Sequence, residues 1–198
     1  TILESIQPNS QYYFLGISLG GKVVYDFASK FPDSFAGAVI TDVGPGPFSE
    51  SDHFREVERI VDETDLTLPW PELKKQLVEK ISDKSLRILI QTQIFYPNKV
   101  PPAVWKTGMK NFEELLKRQS LDLQGSALTK VDQQLTSQKK FIDVLRCAQN
   151  SGIGKKSYEE MKLLSFIRIT DIPDSTHFLH ISHKELIMER VIKMLSSK

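Results

Sequence analysis

From Tyr12 to Gly16 the chain is continuously apolar and closes on glycine, the pattern of a short buried parallel strand. Val23, Val24, Phe27, Ala28 and Phe31 then recur at helical spacing until Pro32 stops the run. A second short apolar run, "FAGAVITDVGPGP", ends in Gly44, Pro45, Gly46 and Pro47. Strand, helix and strand in about 35 residues predict a right-handed βαβ unit.

Between about Phe48 and Gln124 the pattern turns helical. Leu73, Leu77 and Ile81 form one stripe, with Pro71 placed to start its helix. Leu86, Leu89, Ile90 and Ile94 form a second. Met109, Phe112, Leu115 and Leu116 form a third, after the breaker "YPNKVPP". Strand character returns at "KFIDVLRC" and "SFIRITDI", with "SYEEMKLL" as a short helix between them. Ser182 and Glu185 have capping-box spacing at the start of the last helix, whose apolar face is Leu186, Ile187, Val191 and Leu195. The expected fold class is α/β, a mainly parallel sheet of about four strands in sequence order. Residues 1–47 and 125–198 build the sheet, and residues 48–124 form a helical cap.

Composition narrows the function classes. A chain of 198 residues, 40% hydrophobic and 26% charged, suits one soluble domain with an inserted lobe. A net charge of +1 gives no electrostatic reason to expect nucleic acid or an anionic membrane as partner. No apolar run reaches the ~20 residues of a membrane span, and "TILESIQPNS" lacks the features of a signal peptide. The single Cys147 excludes an internal disulfide framework, so a cytoplasmic location is expected. Cysteine and histidine lack metal-ligand spacing, and neither metal nor cofactor is expected.

The chemistry gathers at "FLGISLGGK", where the first strand runs through Gly16-Ile17-Ser18-Leu19-Gly20 into a helix. A sharp turn there lifts the Ser18 hydroxyl above the sheet edge, with glycines at 16 and 20 expected to relieve crowding across it. The helix N-terminus brings its backbone N–H groups to the same point, so the Leu19 N–H is placed to stabilise an oxyanion.

The segment "FLGISLGGKVVYDFASKFPDSFAGAVITDVGP" resembles the elbow strand, helix and next strand of the α/β-hydrolase superfamily, in its cap-bearing serine esterase and carbon–carbon-bond hydrolase branch. "IRITDIPDSTHFLHISHKELIMERVIKML" resembles that family's last strand, histidine loop and final helix. The two matches cover about a third of the chain in the family's order. The resemblance implies that Ser18 is the nucleophile and His177, in "STHFLH", its base. His53, His180 and His183 read as surface or capping residues. Ser at position 18 argues against dehalogenase and epoxide hydrolase chemistry, which uses a carboxylate nucleophile. Trp70, Phe95, Tyr96 and Trp105 are candidates for the cap's inner face, with plain core as the competing reading.

Two departures from the family pattern stand out. Many relatives place the triad acid after the strand that follows the cap, where this chain reads "LRCAQNSGIG" and the aligned position is Gly152. Asp42, ending the strand after the elbow helix, is the substitute expected beside His177; some relatives place the acid there. Its competing reading is a loop cap, and Asn150 is the uncharged alternative. The family also has strands before the elbow, one followed by the loop that gives the second oxyanion donor. On that pattern residues 1–198 correspond to its C-terminal part, and the apolar edge of the first strand calls for either a preceding segment or a second copy.

The expected function is therefore a serine hydrolase acting on a small ester or related carbonyl compound. The alternative is a catalytically silent hydrolase-like binding protein or inactive fragment, favoured by the missing acid and oxyanion loop. Reaction with a fluorophosphonate separates the two, because it requires an activated serine.

Overall fold

The computed structural model describes residues 10–46, 48, 51–106 and 126–196. The stripe expected at Met109, Phe112, Leu115 and Leu116 lies outside the described residues. In chain order the elements are β1 (Tyr12–Ile17), α1 (Leu19–Lys30), β2 (Phe35–Thr41), α2 (Asp52–Glu63), α3 (Trp70–Lys80), α4 (Lys84–Thr92), β3 (Ile94–Phe95), β4 (Val104–Trp105), α5 (Ser126–Ser137), β5 (Ile142–Cys147), α6 (Lys155–Met161), β6 (Ile167–Ile172), α7 (Leu179–Ser182) and α8 (Lys184–Ser196). The chain divides into two compact units, Thr1–Asp52 with Arg118–Lys198, and His53–Lys117.

The first unit is built on a four-stranded parallel sheet in the order β1-β2-β5-β6. The strands follow one another in sequence, as the βαβ pattern requires. Alternation along β2 loads both faces. Ile40 meets Gly21 of α1 on one face, while Val39 joins Leu145, Cys147, Ile172 and Ile187 of α8 in a buried cluster on the other. Tyr25, Phe35, Ile40 and Phe166 are fully buried, each adding about 1.5–3 kcal/mol of hydrophobic stabilisation.

Two details differ from expectation. β1 is the expected sheet edge among the described residues, but it is not the buried strand that its apolar run predicts: of its six residues Gly16 alone is buried, with Leu15 45% and Ile17 39% exposed. An apolar run in sequence does not tell an edge strand from a central one. The final helix starts without the expected Ser182–Glu185 box. Instead the Ser182 hydroxyl pairs with His183 Nδ1 at 2.8 Å and lies 3.4 Å from the Phe178 carbonyl, because Ser182 still belongs to α7.

In the second unit Leu73, Leu77, Ile81, Leu86, Ile90 and Ile94 are buried, as their spacing predicts. Leu89 is an exception, 45% exposed at the border of its stripe. Asp83 caps α4 by accepting from Ser85 N–H and Leu86 N–H, worth about 1 kcal/mol. The breaker "YPNKVPP" is the loop of a small antiparallel hairpin, β3 with β4, which the helical reading had not foreseen. Trp70 and Tyr96 meet edge to face at 6.3 Å between ring centres, and the Tyr96 hydroxyl donates to the Leu68 carbonyl.

Candidate active site

Three strands of the parallel sheet end at one edge, and each delivers part of a single hydrogen-bonded chain. Ser18 follows β1 directly, Asp42 follows β2, and His177 lies in the loop after β6. Since Ile17 pairs with Thr41 in register, Ser18 and Asp42 stand one step beyond the same rung. Ligands of open parallel sheets bind at this edge.

Ser18 makes the turn with φ 48° and ψ −119°, outside the regions L-residues prefer, a strain of about 1–3 kcal/mol. Its N–H is tied to the Thr41 carbonyl at 3.3 Å, and the Gly21 N–H returns to the Ser18 carbonyl at 2.8 Å. Gly16 is required: a Cβ there would lie 2.8 Å from Gly21 Cα. The second crowded glycine is Gly21, where a Cβ would fall 2.4 Å from Val43 Cγ1. Among the described residues Gly20 has open space around it, so the expectation that Gly20 relieves the turn is corrected to Gly21. The helix must lie close on β2, and it is the residue facing the sheet that cannot carry a side chain.

Ser18 Oγ is 2.9 Å from His177 Nε2, and His177 Nδ1 is 2.8 Å from Asp42 Oδ2. An ionised carboxylate only accepts, so Nδ1 carries the proton and donates to Asp42. Nε2 is left to accept from the Ser18 hydroxyl. Asp42 is wholly buried and His177 is 6% exposed. Asn150, the uncharged alternative, is exposed and lies in a left-handed turn.

The surroundings of Asp42 contain what the sequence did not reveal. Oδ1 accepts from Cys147 N–H at 3.0 Å and the Ser151 hydroxyl at 2.7 Å. Oδ2 accepts from Gly152 N–H at 2.7 Å besides His177. The Cys147 thiol lies 3.0 Å from Oδ2 and 3.1 Å from the Gln149 carbonyl. Burial pushes the Asp42 carboxyl up. The bond and charge of His177, with the bonds from Ser151 and Cys147, outweigh it and hold the group below the usual carboxylate range. Burial, then the Asp42 charge, push the Cys147 thiol far up, so it stays protonated as a donor. The signal available in sequence is the composition of "CAQNSGIG", rich in small donors and without a carboxylate.

Neighbouring loops are pinned to this arrangement. Tyr25 and Lys22 of α1 donate to the carbonyls of Val43 and Gly46, fixing the chain beyond Asp42. The Lys22 ammonium also sits 4.4 Å from the Phe48 ring centre. Ser175 in the histidine loop accepts from Ala148 N–H through its hydroxyl and from Gln149 N–H through its carbonyl. Of the other histidines, His53 is buried against Phe54, and His183 pairs with Ser182. His180 is held below the usual imidazole range by burial and then by nearby His177. The Leu19 N–H opens α1 among the groups that have no acceptor within the helix. Among the described residues, no three His, Cys, Asp or Glu cluster as metal ligands, and no helix is long and apolar enough to cross a membrane.

No family model matches the sequence, and no curated protein matches it. Solved structures do. The chain superposes on a marine microorganism esterase with a TM-score of 0.67 at 18% identity, over 97% of this chain and 72% of that one. For E-2-(acetamidomethylene)succinate hydrolase the TM-score is 0.60 at 15% identity, over 95% and 68%. For the meta-cleavage product hydrolase from Pseudomonas fluorescens IP01 it is 0.55 at 11% identity, over 98% and 67%. At such identities a likeness speaks to the fold alone. The chain has the α/β-hydrolase fold.

Proposed function

We propose that this protein is a serine hydrolase that cleaves a small ester or related carbonyl substrate through Ser18, His177 and Asp42. The observation that carries the reading is the continuous chain from Ser18 Oγ through the His177 ring to the buried Asp42 carboxylate. His177 Nε2 takes the Ser18 proton as Oγ attacks the carbonyl carbon, and Asp42 stabilises the imidazolium that forms. The Leu19 N–H faces the developing oxyanion as one donor of the hole. The imidazolium then protonates the leaving group, and water, deprotonated by the same ring, releases the acyl group from Ser18. The esterase and hydrolases of this fold support the reaction class.

The silent-module alternative drew on the absence of an acid after β5 and of the loop that gives the second oxyanion donor, and the geometry bears on the first of these grounds. A carboxylate 2.8 Å from the ring favours the hydrolase instead. Hydrolysis of a short-chain p-nitrophenyl ester tests the proposal. Turnover that disappears in Ser18→Ala supports it, and turnover equal in both chains would overturn it.

A further inference from the structure

Among the described residues, four of the five donors around the Asp42 carboxylate come from Cys147, Ser151 and Gly152, in the segment where the commoner acid of the resembled family would stand. Two are backbone N–H groups fixed by the fold, and the thiol divides its hydrogen between Asp42 and Gln149. The Ser151 hydroxyl differs from these. It accepts from Ile153 N–H at 3.0 Å, which commits its own proton to Asp42 Oδ1. Its carbonyl accepts from the Ser51 hydroxyl at 2.6 Å, and the left-handed turn at Asn150 aims the residue inward. The titratable groups touching Asp42 are His177 and Cys147, while Lys22 and Tyr25 of α1 bind carbonyls further along its loop.

We infer that Ser151 is a positioning residue of the active site: its hydroxyl holds the Asp42 carboxylate charged and turned so that Oδ2 meets His177. The inference rests on the hydrolase reading for its consequence in rate. Its geometric half concerns only the Asp42–His177 pair. Removing a donor to the charged form of a buried carboxylate makes that carboxylate bind protons more tightly. The acid limb of any rate that needs the charged Asp42 carboxylate therefore moves to higher pH.

The test measures the rate of fluorophosphonate labelling at Ser18 from about pH 5 to pH 9, in the wild-type chain, Ser151→Ala, Ser151→Thr and Asp42→Asn. The His177 Nδ1 proton is followed by NMR in the same four. Ser151→Ala is expected to label about tenfold more slowly, the equivalent of one hydrogen bond to a charged group. Its acid limb should move up and its Nδ1 proton resonance should shift, while Ser151→Thr restores all three. An unchanged limb and an unchanged resonance in Ser151→Ala would overturn the inference, as would a loss that Ser151→Thr does not restore. If the wild-type chain fails to label, the hydrolase reading falls. The NMR comparison still decides whether Ser151 holds the pair.

Discussion

Gly152 donates its N–H to Asp42 Oδ2 at 2.7 Å, and a Cβ on Gly152 would stand 2.9 Å from His177 Nδ1 and 2.4 Å from the Asp42 carbonyl oxygen. The space that a side chain at position 152 would need is thus filled by the histidine ring itself. A side chain at 152 and the observed ring position exclude each other, and the carboxylate reaches the ring from β2 instead.

Asp42→Asn should lower kcat about 10⁴-fold with little change in KM, since the amide cannot hold the imidazole in the productive tautomer or balance its charge. Adding Gly152→Asp should not restore the rate, because its side chain displaces His177. Ester turnover with circular dichroism as the folding control checks both. Recovery in the double variant would contradict the steric argument.

Acid stability follows from the same carboxylate. Its folded-state value lies below the ordinary one of about 4, so the unfolded chain binds the proton more tightly. The stabilisation is therefore complete above that ordinary value and is lost as the pH falls through the lower folded one. Urea unfolding should place Asp42→Asn about 2–3 kcal/mol below wild type at neutral pH. The gap should close as the pH falls below about 4. A gap independent of pH would sink the assignment of a charged Asp42.

The elbow glycines offer a paired test. Gly20→Ala has open space in a helix and should gain up to about 0.5–1 kcal/mol. Gly21→Ala drives a methyl into Val43 and Ile40 and should lose about 1–3 kcal/mol. Thermal unfolding reads both, and equal shifts in the two variants would contradict the close approach of α1 to β2.

The sheet, the elbow and the Ser18–His177 pairing were legible in sequence because each rests on a local pattern: short apolar runs, a Gly-X-Ser-X-Gly turn, a loop after the last strand. The environment of Asp42 was not, since its donors Cys147 and Gly152 lie 105 and 110 positions away. Leu89 sat at the border of its stripe, where spacing alone cannot separate core from surface. Two-residue strands such as Ile94–Phe95 are too short to show a period. Gly20 and Gly21 are adjacent in sequence, and only the sheet behind the helix tells them apart.

The β1 edge makes its own prediction. With Leu15 and Ile17 exposed on a strand paired with β2 on one side among the described residues, the 198-residue chain should associate as its concentration rises. Leu15→Lys should weaken that association. Sedimentation of a concentration-independent monomer in the wild-type chain would contradict the expectation.

The central claim is that Ser18 is an activated nucleophile, and the most direct measurement is covalent labelling by a fluorophosphonate located by peptide mass spectrometry. Labelling is expected on Ser18 of the folded chain, abolished in Ser18→Ala and strongly slowed in His177→Ala. A folded chain whose Ser18 stays unmodified, or reacts no faster than after unfolding in urea, would show that the Ser18–His177–Asp42 chain does not activate the serine.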